Sequence, residues 1–300
     1  MSYIDVIGII CLILILCMVI VLLESKRECS KFRITQYRFD TEKLPAGKEL
    51  RIAMIADLHN SRFGGDNESV IKAISTQKPD IIILAGDMLV SRAGKDEDNL
   101  KTAEFVKRLS EIAEVYYGVG NHEKGVIERI HNVGDIWQKY SEKLYEDGCD
   151  RIHYMDNKVM AIGDNDESVM LYGLDLERDY YKRVIAKKLD RCNLANMLGE
   201  VNPDSYNILI AHNPDYFEKY AEWGADLILS GHNHGGLVRL PVLGGVISPR
   251  LRIFPKYDYG VFEKGSSKMV LTNGIGAHSL KIRVNNVPEI VYINIVGNDV

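Results

Sequence analysis

Five short clusters hold aspartate, asparagine and histidine side chains of the kinds that bind divalent cations: Asp57-Leu58-His59, Gly86-Asp87, Gly120-Asn121-His122-Glu123, Ala211-His212-Asn213 and Gly231-His232-Asn233-His234. In extended backbone, residues i and i+2 project to the same side, so Asp57 and His59 can reach one ion, as can His232 and His234 if their ions are neighbours. Asp87 has two carboxylate oxygens and can bridge two cations; Asn121 offers a neutral amide oxygen and His212 a further imidazole. Both ions are thus filled without a thiolate, a donor set that suits Mn, Fe or Zn. Two divalent cations against two aspartates leave a positive centre that attracts phosphate, even with a bridging hydroxide. Any one Gly-Asp or lone His is more often a turn or a satisfied polar group. Only a two-metal hydrolase accounts for the five clusters as a group.

Each cluster closes a short apolar run: residues 51–56, 81–84, 115–119, 206–210 and 226–229. These runs read as buried strands. Between the first two lies a helical pattern from Asn67 to Lys78, with Val70, Ile71 and Ile74 on one side and Asn67 as N-cap. A second amphipathic pattern runs from Asn99 to Ala113 and leads into the third run. Strand, helix and strand in alternation predict a parallel α/β sheet, whose sites form outside the carboxyl ends of the strands. A third helical pattern, residues 125–148 with a break at Gly134-Asp135, is expected to cover part of that site. His131 and His153 lack such contexts and read as surface or structural; His278, which follows the Asn273-Gly-Ile-Gly276 loop, reads as peripheral.

The ordered pattern D-x-H, G-D, G-N-H-E, lone H and G-H-x-H resembles that of the calcineurin-like metallophosphoesterase superfamily, from about residue 49 to the C-terminus. Residues 231–236, Arg239-Leu-Pro241, 255–260, 272–276 and 283–286 sharpen the resemblance toward the membrane-associated, YkuE/YaeI-like bacterial phosphoesterases. The resemblance implies a four-layer α/β/β/α sandwich, with the strand-rich part beyond Val201 in the second sheet. It further implies that Asp57, His59, Asp87 and His234 hold one metal, that Asp87, Asn121, His212 and His232 hold the other, and that His122 lies beside the leaving group as the catalytic residue. Two such metals clamp a phosphate and activate water for in-line displacement.

From Val6 to Leu23 the chain has 18 consecutive residues without a charge, enough for a transmembrane helix. No positive n-region precedes this run and no small-residue cleavage site follows it, which favours an uncleaved anchor over a signal peptide. The expected organisation is an anchor at 3–23, a juxtamembrane connector with an entering strand at 24–48, and a catalytic domain at 49–300. Lys26, Arg27, Lys31 and Arg33 follow the span, placing the catalytic domain in the cytoplasm by the positive-inside rule. Five cysteines, two of them within the span, are unlike a secreted disulfide scaffold.

The net charge is −5 and no basic stripe with interleaved aromatics is visible, so no nucleic-acid partner is expected. After His234 comes a segment mixing Arg239, Arg250, Arg252 and Lys256 with Leu243, Leu251 and Phe254. Arg239, Arg252 and Phe254 are its candidate substrate contacts, cations for phosphate beside apolar side chains for acyl chains. A solvated loop packed on the sheet is the competing reading. With the anchor, the segment suggests a phosphoester substrate that is lipid-linked; the resemblance makes UDP-diacylglucosamine one candidate. A nuclease, a small-molecule phosphatase and a non-catalytic membrane scaffold are the alternatives, the last disfavoured because no ligand is missing.

Overall fold

The computed structural model describes residues 2–128, 135–163, 168–182, 185–240, 244–248, 252–277 and 282–298. Strands β1 (Arg33–Thr41), β2 (Glu49–Ile55), β3 (Ile81–Leu84), β4 (Glu114–Gly118) and β5 (Ile152–Met155) belong to a first sheet. Strands β6 (Lys158–Ala161), β7 (Val169–Leu174), β8 (Tyr206–Ala211) and β9 (Leu227–Ser230) belong to a second. A small hairpin of β10 (Arg239–Leu240) and β11 (Gly244–Gly245) follows, then β12 (Gly260–Lys264) and β13 (Ser267–Leu271) of the second sheet. The last strand, β14 (Glu289–Gly297), returns to the first sheet between β1 and β2, parallel to the former and antiparallel to the latter.

Alternation along the strands explains the layers. In β3, Ile81 and Ile83 enter the core between the two sheets, together with Ile208 and Ile210 of β8. Ile82 and Leu84 face the opposite way, into a core closed by helices α2 (Glu68–Gln77), α3 (Asp96–Ser110) and α5 (Ile136–Leu144). A third core lies between the second sheet and helices α6 (Arg191–Leu198) and α7 (Phe217–Trp223). A strand buried on both faces must be apolar throughout, which is why the runs lack polar alternation. The result is a four-layer α/β/β/α sandwich.

As expected of the part beyond Val201, the cluster-bearing β8 and β9 lie in the second sheet, while β2, β3 and β4 lie in the first. Several local expectations are corrected. The second sheet also draws on β6 and β7, before Val201, while β14 leaves it for the first. Asn67 occupies the N-cap position of α2, but its side chain makes no capping bond; it is left-handed (φ 63°), and its Oδ1 accepts the Phe63 N–H at 2.9 Å. Helix α3 begins at Asp96, earlier than its apolar stripe suggested, because Asp96, Glu97 and Asp98 suit the positive end of the helix dipole. Of the 125–148 pattern, the described residues hold the end of α4 (Asn121–Ile127) and α5, while 129–134, with Gly134 of the expected break, lie outside the described residues; Ile136, Tyr140 and Leu144 turn α5 onto the outer core instead of the clusters.

Helix α1 (Tyr3–Cys29) is longer than the apolar run. Its best 18-residue window has a mean hydropathy of 3.6 and none of it is buried, so it is long and apolar enough to cross a membrane. Only Ser25 and Glu28, in its last turns, are buried.

Candidate metal centre

The ends of β2, β3, β8 and β9 and the start of α4 meet across the mouth of the sandwich. Three overlapping donor groups result: Asp57 with His59 and His234, Asp87 with His212 and His232, and His59 with Asp87 and His122. Within each group the ligand atoms lie within 4.8 Å of one another.

The backbone there is not the extended chain on which the i, i+2 expectation rested. Asp57, His59, Asp87, His232 and His234 all have positive φ, between 46° and 75°. Each such residue costs about 1–3 kcal/mol unless its surroundings hold it. The strands therefore turn sharply as they leave the sheets, and the turns aim the side chains. Two glycines allow the turns to close: a Cβ on Gly86 would lie 2.7 Å from His212 Nδ1, and one on Gly120 only 2.3 Å from Asp87 Oδ1.

Asp87 sits at the junction, but its two oxygens are not equivalent. Oδ1 accepts the His122 main-chain N–H at 2.8 Å, while Oδ2 lies 3.2 Å from His212 Nε2 and 3.7 Å from His59 Nε2. One oxygen thus faces imidazoles of both halves of the cluster. Asp57 accepts the His232 N–H at 3.1 and 3.0 Å and lies 3.4 Å from His234 Nε2. The Nε2 atoms of His59 and His234 are 3.1 Å apart. Two imidazole nitrogens bound to one ion at about 2.0–2.1 Å, roughly at right angles, have about that separation.

Hydrogen bonds also set the ring protons. His212 Nδ1 donates to the Ala85 carbonyl at 2.7 Å, which turns Nε2 toward Asp87. His122 Nδ1 accepts the Ser91 N–H at 3.1 Å, so the ring carries its proton on Nε2 when neutral. Asn121 Oδ1 is buried with no hydrogen-bond partner among the described residues. A buried amide oxygen without a donor fits a cation ligand. With the carboxylates and imidazoles, it makes a donor set suited to two divalent cations.

Burial pushes the Asp57 carboxyl up to about 7, with His212 pulling it down and Asp87 adding to the rise. Burial also opposes ionisation of Asp87, but the His212, His122 and His59 imidazoles outweigh it and hold that carboxyl well below its usual range. Burial opposes charge on His212, yet Asp87 and Asp57 push it up to about 9. The cluster thus holds protons that a cation would displace.

Glu123 carries a role that the cluster reading left unassigned. Fully buried, it accepts main-chain N–H groups from Asp87 and Met88 at 2.8 Å and Gly120 at 3.0 Å, and the Tyr117 hydroxyl at 2.9 Å. It ties the Asp87 turn to the start of α4. Its place three residues after Gly120, as in a capping box, was the available signal.

The three candidate substrate residues lie on the segment after His234, and the two arginines have partners of their own. Arg239 pairs with Asp258 at 3.0 Å and its guanidinium lies over the Tyr259 ring; Arg252 pairs with Asp215. Phe254 is 55% exposed and Ile253 70%. Leu243, Arg250, Leu251, His131 and His278 lie outside the described residues. His153 lies at β5, 2.6 Å from Glu114.

The family model for calcineurin-like phosphoesterases matches residues 50–236. An uncharacterized metallophosphoesterase of Aquifex aeolicus is 27% identical over 282 residues, 91% of this chain and 95% of its own. The uncharacterized metallophosphoesterase YkuE of Bacillus subtilis is 25% identical, covering 85% of this chain and 82% of its own. The phosphodiesterase YaeI of Escherichia coli is 28% identical, covering 82% of each chain.

Proposed function

This chain belongs to the calcineurin-like phosphoesterase family and is a phosphoester hydrolase using two divalent metals; on that premise we propose which residues hold them and what bond is cut. Asp57, His59, Asp87 and His234 hold one cation, and Asp87, Asn121, His212 and His232 the other. The observation that carries this assignment is Asp87 Oδ2, which faces imidazoles of both halves of the cluster. When bound, two such cations offset phosphate charge and lower the pKa of a water. His122 is the catalytic residue: with its Nδ1 engaged by Ser91, it presents an Nε2 proton to the leaving oxygen.

The substrate is a phosphodiester or pyrophosphate carried on a lipid, and α1 anchors the enzyme at the membrane. The name of the E. coli relative supports diester chemistry. Exposed Leu240, Ile253 and Phe254 beside a cluster-bearing loop support an apolar substrate, UDP-diacylglucosamine being one candidate. The burial of Ser25 and Glu28 against the domain supports a retained anchor at 3–23, with 24–48 leading into the catalytic domain at 49–300. The basic residues after the span support a cytoplasmic domain.

The test is an activity screen of the full chain in detergent with added Mn²⁺, across monoesters, diesters and lipid pyrophosphates. Ile253→Ser with Phe254→Ser is expected to impair lipid hydrolysis far more than that of a small chromogenic diester. Equal impairment would refute the lipid reading.

A further inference from the structure

The last turns of α1 enter the domain. Ser25 and Glu28 are buried while Lys26 and Arg27 between them are exposed, as the i, i+3 spacing on one helix face requires. Ser25 Oγ accepts the Arg283 N–H at 3.0 Å and Glu28 Oε2 accepts the Asn286 N–H at 2.8 Å, both bonds being buried. These are main-chain donors, so the two side chains fix the path of residues 283–286. A carboxylate accepting a buried N–H makes one of the stronger hydrogen bonds available.

Two side chains of that segment reach the cluster. Asn286 donates to the carbonyls of His234 and Gly236, each at 2.6 Å, holding the left-handed turn at His234. The buried Arg283 guanidinium donates to the carbonyls of Asn273, Gly274 and Gly276 at 2.8, 3.1 and 2.6 Å. The loop it gathers lies against Asp57: Gly276 N–H donates to the Asp57 carbonyl at 2.9 Å, and a Cβ on Gly274 would lie 2.7 Å from Asp57 Cβ. Only residues 30–32 separate α1 from β1, so the helix has little slack.

We infer that the end of α1 is part of the support of the metal centre, with Ser25 and Glu28 as positioning residues for Asp57 and His234. This rests on the ligand set proposed above. The apolar helix is then a component of the site and not a tether alone.

The experiment uses the full chain in detergent, stripped of metal and titrated calorimetrically with Mn²⁺, with melting of each metal-free variant as the check on folding. Wild type is expected to bind two ions. Glu28→Ala should weaken Mn²⁺ binding by about 10-fold, the low end of the effect of removing a group bonded directly to a ligand, because Glu28 acts through Asn286. Glu28→Gln, whose amide oxygen still accepts the Asn286 N–H, should recover most of that loss, and the exposed Lys26→Ala should show none. A folded Glu28→Ala with wild-type Mn²⁺ affinity overturns the inference, as does an equal loss in Lys26→Ala. A wild type that binds no Mn²⁺ overturns the ligand set and the inference with it. If Glu28→Ala does not fold, Ser25→Ala carries the same comparison with a smaller shift.

Discussion

Replacing Glu123 by glutamine keeps the size of the side chain but exchanges a carboxyl for a neutral amide with one acceptor oxygen, and the loss can be worked from its hydrogen bonds. Oε2 serves the N–H groups of Asp87 and Gly120; Oε1 serves the Met88 N–H and the Tyr117 hydroxyl. Glutamine has one acceptor oxygen; its lower-cost orientation keeps that oxygen on the Asp87 and Gly120 N–H groups and turns the NH₂ toward the Met88 N–H, while the Tyr117 hydroxyl accepts from it and donates to Tyr140. One buried donor orphaned at about 1–3 kcal/mol gives a loss of about 2 kcal/mol. At roughly 2–4 °C per kcal/mol for a domain of this size, the melting temperature should fall by about 6 °C. The Asp87 turn would also shift, so Mn²⁺ affinity should drop about 10–100-fold. Scanning calorimetry of the metal-free protein and a Mn²⁺ titration measure the two effects separately. A Glu123→Gln protein that melts with wild type and binds Mn²⁺ undiminished would refute the argument that this carboxylate holds the turn.

Asp87→Asn should reduce bound metal at both positions, because the oxygen facing both halves of the cluster loses its charge; elemental analysis showing one fully retained ion would contradict a shared ligand. His122→Ala should lower kcat by about 10²–10⁴-fold with metal content unchanged, which single-turnover kinetics and elemental analysis together check. Binding of Mn²⁺ should strengthen as pH rises from about 6 toward 9. Asp57 is pushed up to about 7 and His212 to about 9, so both hold protons on the acid side that the cation must displace. Calorimetry in buffers of different ionisation enthalpy should report proton release at neutral pH; binding without proton release would count against those shifts.

The kinds of donor, their order and their attachment to strand ends were legible in the chain, because a buried strand must be apolar and the first polar residues after it fall at the sheet's rim. The same local logic marked a helix long and apolar enough to cross a membrane, whose length and lack of charge need no tertiary partner. Local patterning does not determine which strands are neighbours. The return of β14 between β1 and β2 rests on pairings between residues more than two hundred positions apart. Nor did spacing foresee the left-handed turns at Asp57, Asp87 and His234, since non-glycine residues hold that conformation only when distant groups stabilise it. Those groups are Glu123, Arg283 and Asn286, whose motifs were visible in the sequence but whose supporting role was not. Folding makes them supports by burying them where backbone N–H and carbonyl groups have no other partner.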